Sequence, residues 1–235
     1  GSGKQRDLDI YDYCYEHIVL WDEKDLEVVG AYRIVNVAEV VDAYGVDGLY
    51  TATLFRYSSE FYEYFQNSIE LGRSFVQPKY WNSRALDYLW QGVGAYLRTH
   101  PQIKYMFGSV SISGAYTPEA ISLLVYFYAN YFGVKHKSVM HINPYIMSSS
   151  HRVMCEEIFC KDDYEQDMVV LKANLQQRGF AIPTLYKQYA DLCEAGGVKF
   201  MDFGVDTEFQ NAIDGFIVVD IDKLKAAKRK RYLEA

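Results

Sequence analysis

The chain has 235 residues, among them 22 tyrosines and 13 phenylalanines, and a formal net charge of −7. This length allows one large or two small domains with a substantial core, and so many aromatic side chains are typical of wide cores and apolar pockets. The negative charge argues against nucleic acid as the main partner, because phosphate contacts need clustered Lys and Arg side chains.

The two ends of the chain and its cysteines set the expected organisation. Residues 1–3 (Gly-Ser-Gly) are typical of a cloning remnant, residues 4–224 form one predicted domain, and residues 225–235 form a basic C-terminal tail. Such tails are mostly solvated, although basic segments also bind anionic lipid surfaces. The four cysteines lack metal-ligand spacing, so reduced thiols and no metal site are expected. Without a recognisable signal peptide or an apolar run of bilayer length, the sequence favours a cytoplasmic protein with at most peripheral contact to the inner membrane face.

The first third of the chain predicts three strands and a short helix. Extended runs at 17–21 and 27–37 are separated by a polar turn, and the second is rich in β-branched residues. A third strand is predicted over 49–55. A serine pair can then cap a short helix at 60–65.

A strand, a tight turn and a long helix follow. The strand over 69–76 carries two charged side chains among apolar ones, and Pro78 ends its hydrogen-bond ladder. Asn82 or Ser83 can cap the helix predicted over 83–98. A strand that leads into a helix N-terminus presents free backbone N–H groups and the positive end of the helix dipole, which favours a phosphate-bearing ligand. The alternative is an ordinary strand and helix with one ion pair.

The middle of the chain predicts one strand, one buried helix and a polar excursion. The strand over 103–113 contains Gly108, where a bulge or the close approach of a ligand is expected. The helix over 118–132 is apolar nearly all round and is predicted to lie deep in the core. Residues 134–163 are polar and hold three histidines, whose irregular spacing does not favour a metal site.

The last part of the chain predicts two helices and two closing strands. One helix is expected over 162–177 and another begins at Pro183, while the strands cover 198–203 and 215–221. No repeat or low-complexity linker divides the chain. The order of elements therefore predicts one α/β domain with a mixed sheet.

Ordered sequence blocks carry a resemblance to a known family. They are D-x-D-x-Y-D at Asp7, Asp9 and Asp12, VVGAYRI with Arg33, ELGRSFVQPKYW with Glu70 and Arg73, and FGSVSIS followed by a C-terminal block from IPTLYKQY to FIVVDI. With these blocks the sequence resembles the GNAT-like acyltransferases, in the branch of the ornithine-lipid N-acyltransferases and autoinducer (acyl-homoserine-lactone) synthases, some of which are labelled haemolysin-like. The resemblance implies a GNAT-like acyl-CoA N-acyltransferase fold, with a central mixed, mostly antiparallel sheet flanked by helices.

The sequence departs from the family pattern in two places. Acetyl-CoA-dependent relatives have a glycine-rich loop at the start of the long helix, but this turn reads YWNSRAL, without glycine. Side chains there would crowd a pyrophosphate held by backbone N–H groups, which favours acyl carrier protein as the donor because it presents a single phosphopantetheine phosphate. The family's R-Y-x-V-F-type segment is not seen before Lys4, so it is either lost or outside this sequence.

The resemblance implies roles for several charged residues. Glu70 is the candidate general base or amine-positioning carboxylate, with burial as the ion-pair partner of an arginine as the alternative. Arg73 and Arg33 can clamp an acceptor carboxylate bidentately, because guanidinium matches carboxylate geometry. Asp9 and Asp12 can hold the acceptor amine or orient the arginines, and capping of a turn is the simpler interpretation of either aspartate.

Donor contacts are expected along the strand and the turn that follows it. Backbone N–H groups near Phe75, Val76 and Gly108 are candidates for oxyanion and pantetheine contacts. The turn contributes further candidate contacts at Asn82, Ser83 and Arg84. No permanently bound cofactor is expected, since the acyl donor, acyl carrier protein or acyl-CoA, is a substrate.

Other polar residues are predicted to be structural. Asp206 and Asp214 match a family block, but they are interpreted as turn and strand-edge residues. Ser109, Ser111 and Ser113 alternate on one strand without the surroundings of a nucleophile elbow.

The leading functional hypothesis is an N-acyltransferase that moves a long-chain, 3-hydroxylated acyl group from acyl carrier protein to the α-amine of an amino acid, ornithine, glycine or similar. The product would be a lyso-aminolipid. The expected partners are acyl carrier protein, an amino acid and an anionic membrane surface. The alternatives are an acetyl-CoA-dependent N-acetyltransferase and a non-catalytic lipid or acyl-carrier binding module. Acyl-homoserine-lactone synthesis is disfavoured by the C-terminal block.

Overall fold

A computed structural model describes residues 8–234 of the protein. Asp7 of the acidic block and residues 1–3, which the sequence predicts to be a cloning remnant, lie outside the described residues, as does Ala235. The strands are β1 (Glu16–Asp22), β2 (Glu27–Asn36), β3 (Phe55–Tyr57), β4 (Ser68–Val76), β5 (Tyr105–Ile112), β6 (Val139–His141), β7 (Val198–Asp206) and β8 (Ala212–Asp220). The helices are α1 (Val37–Tyr44), α2 (Tyr62–Phe65), α3 (Ala85–Thr99), α4 (Pro118–Phe132), α5 (Ser149–Ile158), α6 (Tyr164–Gln177), α7 (Thr184–Ala190) and α8 (Ala226–Tyr232).

Six strands form the central sheet in the order β1-β2-β4-β5-β8-β7. Every neighbouring pair is antiparallel except β4 and β5, which run parallel. The prediction of a mixed, mostly antiparallel sheet flanked by helices is therefore confirmed. Strands β3 and β6 form a separate two-stranded sheet.

The central sheet has two differently covered faces. The helical face packs against α3 and α4 and contributes Ile34, Leu71 and Ile112 to the larger core cluster. The loop face packs under α1, short 3-10 turns and the β3–β6 sheet, and it contributes Phe107 and Phe216 to a second cluster. Because side chains alternate along a strand, the residues between the helical-face positions point to the loop face.

Strands β4 and β5 diverge after a short paired stretch. They pair over Ser68–Glu70 and Tyr105–Phe107, after which β4 continues beside β2 and β5 continues beside β8. At the end of the paired stretch a Cβ on Gly108 would lie 2.1 Å from the carbonyl oxygen of Leu71. Only glycine lets the two backbones come this close, so Gly108 sits where the strands begin to separate.

A β-bulge on β4 lies just beyond this point. Ala31 of β2 pairs with Phe75 and Arg33 pairs with Gly72, so two residues of β4 oppose one residue of β2. Arg73, the first of the two, has a φ of 44°, a left-handed conformation that costs free energy for any residue except glycine. Such a bulge changes the direction of the Arg73 side chain and bends β4 next to the point where β4 and β5 separate.

The predicted strand at 49–55 is wrong over most of its length. Residues Tyr50–Thr53 form a 3-10 turn, and β3 begins only at Phe55. The N–H groups of Tyr50 and Thr51 bond to side chains, those of Tyr15 and Glu70, and not to a neighbouring strand. These hydrogen bonds to side chains distant in sequence have replaced the strand-to-strand hydrogen bonds that the residue types of this segment favour.

The basic C-terminal segment forms a helix that packs on α3. Tyr232 of α8 is buried, and a Cβ on Gly94 of α3 would lie 1.9 Å from the Tyr232 carbonyl oxygen. Arg231 donates to Asp87 of α3 at 2.5 Å. Among residues 8–234, no helix is both long and apolar enough to cross a membrane.

Candidate active site

Glu70 is a fully enclosed carboxylate on the loop face of β4. It is 1% exposed. Its Oε1 accepts a hydrogen bond from the Thr51 backbone N–H at 2.7 Å, and its Oε2 accepts one from the Tyr15 hydroxyl. Burial raises the pKa of Glu70 even though these hydrogen bonds lower it. Both oxygens are thus occupied by donors that the fold itself supplies.

The donors to Glu70 belong to a wider hydrogen-bonded network. The Tyr50 N–H donates to the Tyr15 hydroxyl at 2.9 Å, and the Thr51 hydroxyl shares a hydrogen bond with the hydroxyl of Tyr57. Burial, together with the charge of Glu70, raises the pKa of Tyr15 far above its usual value. Glu70 therefore fixes the 3-10 turn at Tyr50–Thr53 against the sheet.

Arg33 occupies a buried aromatic cage on the loop face of β2. Its side chain is fully enclosed, and its Nη1 donates to Asp9 Oδ1 at 2.7 Å and to Asp12 Oδ1 at 3.2 Å. Its guanidinium lies over three tyrosine rings at centroid distances of 5.0–5.6 Å, those of Tyr11, Tyr15 and Tyr50. Cation–π attraction offsets part of the cost of burying the charge.

Asp9 and Asp12 cap the first 3-10 turn of the described chain and bind the arginines. The Asp9 N–H donates to Asp12 Oδ2 at 2.8 Å, and the Tyr11 N–H donates to Asp9 Oδ1 at 2.9 Å. Arg73 Nη2 lies 3.3 Å from Asp9 Oδ2. Burial opposes the charged form of Asp12, but its hydrogen bonds to Asp9 and Arg33 lower its pKa. The structure therefore brings together the residues that the sequence predicts as the acceptor site. Asp9 and Asp12 both cap the turn and orient the arginines.

The predicted donor-binding residues lie where β4 and β5 separate and in the turn that leads into α3. Phe75 is half exposed, and the Val76 carbonyl accepts a hydrogen bond from the Trp81 indole N–H at 2.9 Å. Asn82 adopts a φ of 63° in the turn. The remaining predicted contacts are Gly108, where β4 and β5 begin to separate, and Ser83 and Arg84, immediately before α3.

Ser83 and Arg84 both interact with the start of α3. Ser83 Oγ accepts a hydrogen bond from the Ala85 N–H at 3.1 Å, which satisfies one of the free donors of the helix. Arg84 is exposed and lies 3.2 Å from Asp87 Oδ2. The N-terminus of α3 therefore carries both a cation and a carboxylate.

Sequence reasoning misplaced Asp214. The structure places this residue inside β8 and not at a strand edge, and its side chain is 2% exposed on the loop face. Ser111 of the neighbouring β5 donates to its Oδ1 at 2.5 Å. Asp206 does hold a turn as expected, because it accepts the N–H groups of Glu208 and Phe209. The signal for Asp214 is its place in a run of otherwise apolar residues, which predicts burial.

Burial also changes the acidity of this carboxyl. Desolvation raises the pKa of Asp214 to about 6, with the Ser111 hydrogen bond lowering it and the charge of Asp206 raising it. A carboxyl with such a pKa exchanges protons near neutral pH.

Comparison with known proteins places this arrangement in a family. Residues 1–91 match a family model described as an acetyltransferase (GNAT) domain. The chain is 30% identical to the glycine N(alpha)-acyltransferase of Phocaeicola vulgatus, over all of this chain and 75% of that protein. It is 26% identical to the L-ornithine N(alpha)-acyltransferase of Brucella abortus, over 95% of this chain and 73% of that protein.

Among solved structures, the chain is similar to a GNAT-like decarboxylase, GphF, in complex with isobutyryl-CoA, with a TM-score of 0.37 and 15% identity over 86% of this chain and 76% of that one. The family assignment depends on the sequence relatives, which match along nearly the whole chain. The chain belongs to the GNAT acyltransferases, in the branch of the glycine and L-ornithine N(alpha)-acyltransferases, and is an N-acyltransferase.

Proposed function

We propose that the protein transfers a long-chain, 3-hydroxylated acyl group from acyl carrier protein to the α-amine of an amino acid, which makes a lyso-aminolipid. The observation that carries the proposal is the similarity, along nearly the whole chain, to relatives named for glycine and for L-ornithine. These two acceptors share an α-ammonium group and a carboxylate and differ in their side chains. The acceptor class is therefore an α-amino acid.

The charged cluster on the loop face suits such an acceptor. Arg73 is partly exposed, with 31% of its side chain accessible, and it lies on the bulge beside the divergence of β4 and β5. We assign it to the acceptor carboxylate, which a guanidinium binds bidentately. Arg33 is enclosed behind it, so we assign Arg33, Asp9 and Asp12 to holding the first turn and Arg73 in place.

The turn into α3 supports a donor with one phosphate. It contains no glycine, Ser83 already occupies one helix N–H, and Asp87 places a negative charge in the first turn. Each of these features weakens the binding of a pyrophosphate more than that of a single phosphate. The pantetheine arm would then enter between β4 and β5, past Phe75, Val76 and Gly108.

Acyl transfer needs no covalent enzyme intermediate in this proposal. The amine attacks the thioester carbon directly, and backbone N–H groups at the divergence stabilise the oxyanion. A base role for Glu70 would require it to give up a hydrogen bond, because both of its oxygens accept hydrogen bonds inside the protein. We therefore assign Glu70 to positioning the Tyr50–Thr53 turn.

A peripheral contact with an anionic membrane surface completes the proposal. Lys230 and Arg231 are exposed on α8, and basic residues near a surface gain roughly 1 kcal/mol each from anionic lipid. Co-sedimentation with phosphatidylglycerol vesicles, compared with phosphatidylcholine vesicles, tests this contact.

The main experiment is a matrix of donors and acceptors analysed by mass spectrometry. The purified protein is given 3-hydroxypalmitoyl acyl carrier protein, 3-hydroxypalmitoyl-CoA or acetyl-CoA, each with glycine, L-ornithine or pooled amino acids. We expect an N-(3-hydroxypalmitoyl) amino acid with the carrier-protein donor at the highest rate. Acetylation by acetyl-CoA alone would replace the proposal with an N-acetyltransferase. A folded protein that acylates nothing would instead support a binding module.

A further inference from the structure

We propose that Asp214 binds the α-ammonium group of the acceptor and takes a proton from it before the amine attacks the thioester. The inference rests on the proposed amino-acid acceptor and adds the residue that holds and activates its amine. It assigns a catalytic role to a carboxyl that lies outside the ELGR and acidic blocks.

The first support is the incomplete set of partners around this carboxyl. Removing a carboxylate from water costs free energy unless donors replace the water. Glu70 has a backbone amide and a phenol as donors, whereas Asp214 has the hydroxyl of Ser111. The hydroxyl of Ser109 also faces this carboxyl and lowers its pKa as a second, weaker hydrogen-bonding group. An ammonium group, with three N–H donors, suits this site.

The second support is an unpartnered polar atom beside the carboxyl. Ser109 Oγ is buried and, apart from its weak interaction with Asp214, has no hydrogen-bond partner within the described part of the chain. It lies two residues from Ser111 on the same face of β5. A polar atom left in this way is unfavourable unless a ligand bonds to it. The hydroxyl of Ser109 can accept a hydrogen bond from one of the ammonium N–H groups.

The third support is the position of Asp214 relative to the divergence. Ser111 and Asp214 are direct partners in the β5–β8 pair, and Ser109 and Ser111 both lie beyond Phe107, where β5 has separated from β4. Neighbouring strands are about 4.8 Å apart. Asp214 is therefore one strand away from the gap in which the donor thioester is proposed to lie, and it is on the same face as Glu70.

The fourth support is the polarity across the site. Tyr50 lies between two oppositely charged sides. Its pKa is raised to about 12, mainly by burial and also by Asp214 and Asp206, while Arg33 and Arg73 lower it. The β7–β8 side is thus negative and the β2–β4 side is positive. An α-amino acid fits this polarity with its carboxylate towards Arg73 and its ammonium towards Asp214.

The proton balance of the step is complete without a further reagent. The acceptor enters as an ammonium ion with two protons to lose. One goes to the Asp214 carboxylate, which frees the nitrogen lone pair to form the new N–C bond. The C–S bond then breaks, the leaving thiolate takes the second proton, and Asp214 returns its proton to water. A pKa near 6 makes this carboxyl a better base than an ordinary aspartate.

Several groups besides Asp214 contribute to the pH profile and must be included in its interpretation. Asp206 of β7 and Ser111 of β5 act on Asp214 directly. Tyr50 and Tyr186 of α7 are raised in pKa by its charge in addition to their own burial. The pKa of His141 is lowered by burial.

The first test is the variant Asp214→Asn, which keeps volume and can still accept the Ser111 hydrogen bond. With glycine or L-ornithine at neutral pH we expect kcat/KM to fall by about 10²-fold or more, the usual contribution of a general base. The loss should shrink as the pH approaches the pKa of the acceptor amine, because the amine then loses its proton without help. A merely structural loss would not be rescued by pH.

The matched control is Asp202→Asn on neighbouring β7. Asp202 is also a buried carboxylate of the sheet, but it accepts from Lys137 and from the His141 N–H. This control should keep a kcat/KM near that of the wild type. Thermal unfolding of both variants separates a loss of activity from a loss of fold.

A second variant, Ser111→Ala, keeps the inference testable if Asp214→Asn does not fold. Removal of the hydroxyl that lowers the pKa of Asp214 should shift the acid limb of the kcat/KM profile to higher pH. An unshifted limb, or an Asp214→Asn variant as active as the wild type, would overturn the assignment. If the wild type itself acylates no amine from any donor, the proposed function fails and not this assignment alone.

Discussion

The variant Arg33→Met tests whether the enclosed guanidinium organises the N-terminal side of the site. Methionine keeps much of the length of the side chain but removes its charge and leaves Asp9 and Asp12 without this partner. Breaking a buried ion pair costs about 3–5 kcal/mol. Because 25% of the Asp9 and 13% of the Asp12 side chain are exposed, solvent screening reduces this to about 2–3 kcal/mol. Loss of the cation–π contacts adds about 1 kcal/mol.

The expected total of about 3–4 kcal/mol is measurable by urea denaturation and corresponds to a fall in Tm of roughly 6–16 °C for a chain of this size. The exposed Arg84, which pairs with Asp87 at the surface, provides the control Arg84→Met, with an expected cost of about 0–1 kcal/mol. A double-mutant cycle of Arg33→Met with Asp12→Asn should give a coupling free energy of about 1 kcal/mol or more. A cost below about 1 kcal/mol, or a coupling near zero, would refute the organising role.

The pH dependence of this cost follows from Asp12. Its pKa is lowered in the folded protein, so its contribution to the free energy of unfolding is present above the ordinary value of 3.8 and is lost as the pH falls through the lowered pKa. The difference in stability between wild type and Arg33→Met should therefore shrink in acid. A difference that stays constant through this range would place the stabilisation in packing and not in charge.

Two further predictions concern the sheet. Glu70→Gln should lower the free energy of unfolding by about 1–3 kcal/mol, because the amide N–H2 of glutamine would face a group that donates a hydrogen bond to the carboxylate. The exposed Glu63→Gln is the control. Equal melting curves for the two variants would contradict the prediction. Gly108→Ala should cost about 1–3 kcal/mol, because its Cβ would meet the Leu71 carbonyl oxygen at 2.1 Å, whereas Gly72→Ala on the neighbouring strand has nothing within 4 Å of the new methyl group and should unfold near the wild-type temperature.

Most strands and long helices could be predicted from local pattern. Strands β2 and β4 are runs of apolar and β-branched residues ended by polar turns, and α4 is apolar on every side and lies in the core as expected. The segment 49–55 failed because its strand-like composition was overridden by hydrogen bonds to Tyr15 and Glu70, which are distant in sequence. The polar excursion at 134–163 hid β6 and α5 for a similar reason, since β6 forms only by pairing with β3.

The charged cluster was predictable in membership but not in function. Ordered sequence blocks predicted that Asp9, Asp12, Arg33 and Arg73 belong together, and the structure places them in contact. The guanidinium of Arg33 is the enclosed one because three tyrosine rings surround it. The spacing of residues in the sequence does not reveal this arrangement. Asp214 was missed because β8 is buried on both faces, so its side-chain pattern lacks the alternation that separates a core position from an edge.

Glu70 and Asp214 are two buried carboxyls whose surroundings differ in ways that sequence motifs do not show. Both are buried on the same face of the sheet, with β5 between them. Glu70 is surrounded by fixed donors and holds a turn, whereas Asp214 has one hydroxyl partner, a second hydroxyl that interacts with it weakly, and a pKa of about 6. When two carboxyls have such different surroundings, the environment decides which one exchanges protons. Glu70→Gln should therefore act mainly on stability and Asp214→Asn mainly on turnover, and the opposite pattern would exchange the two roles.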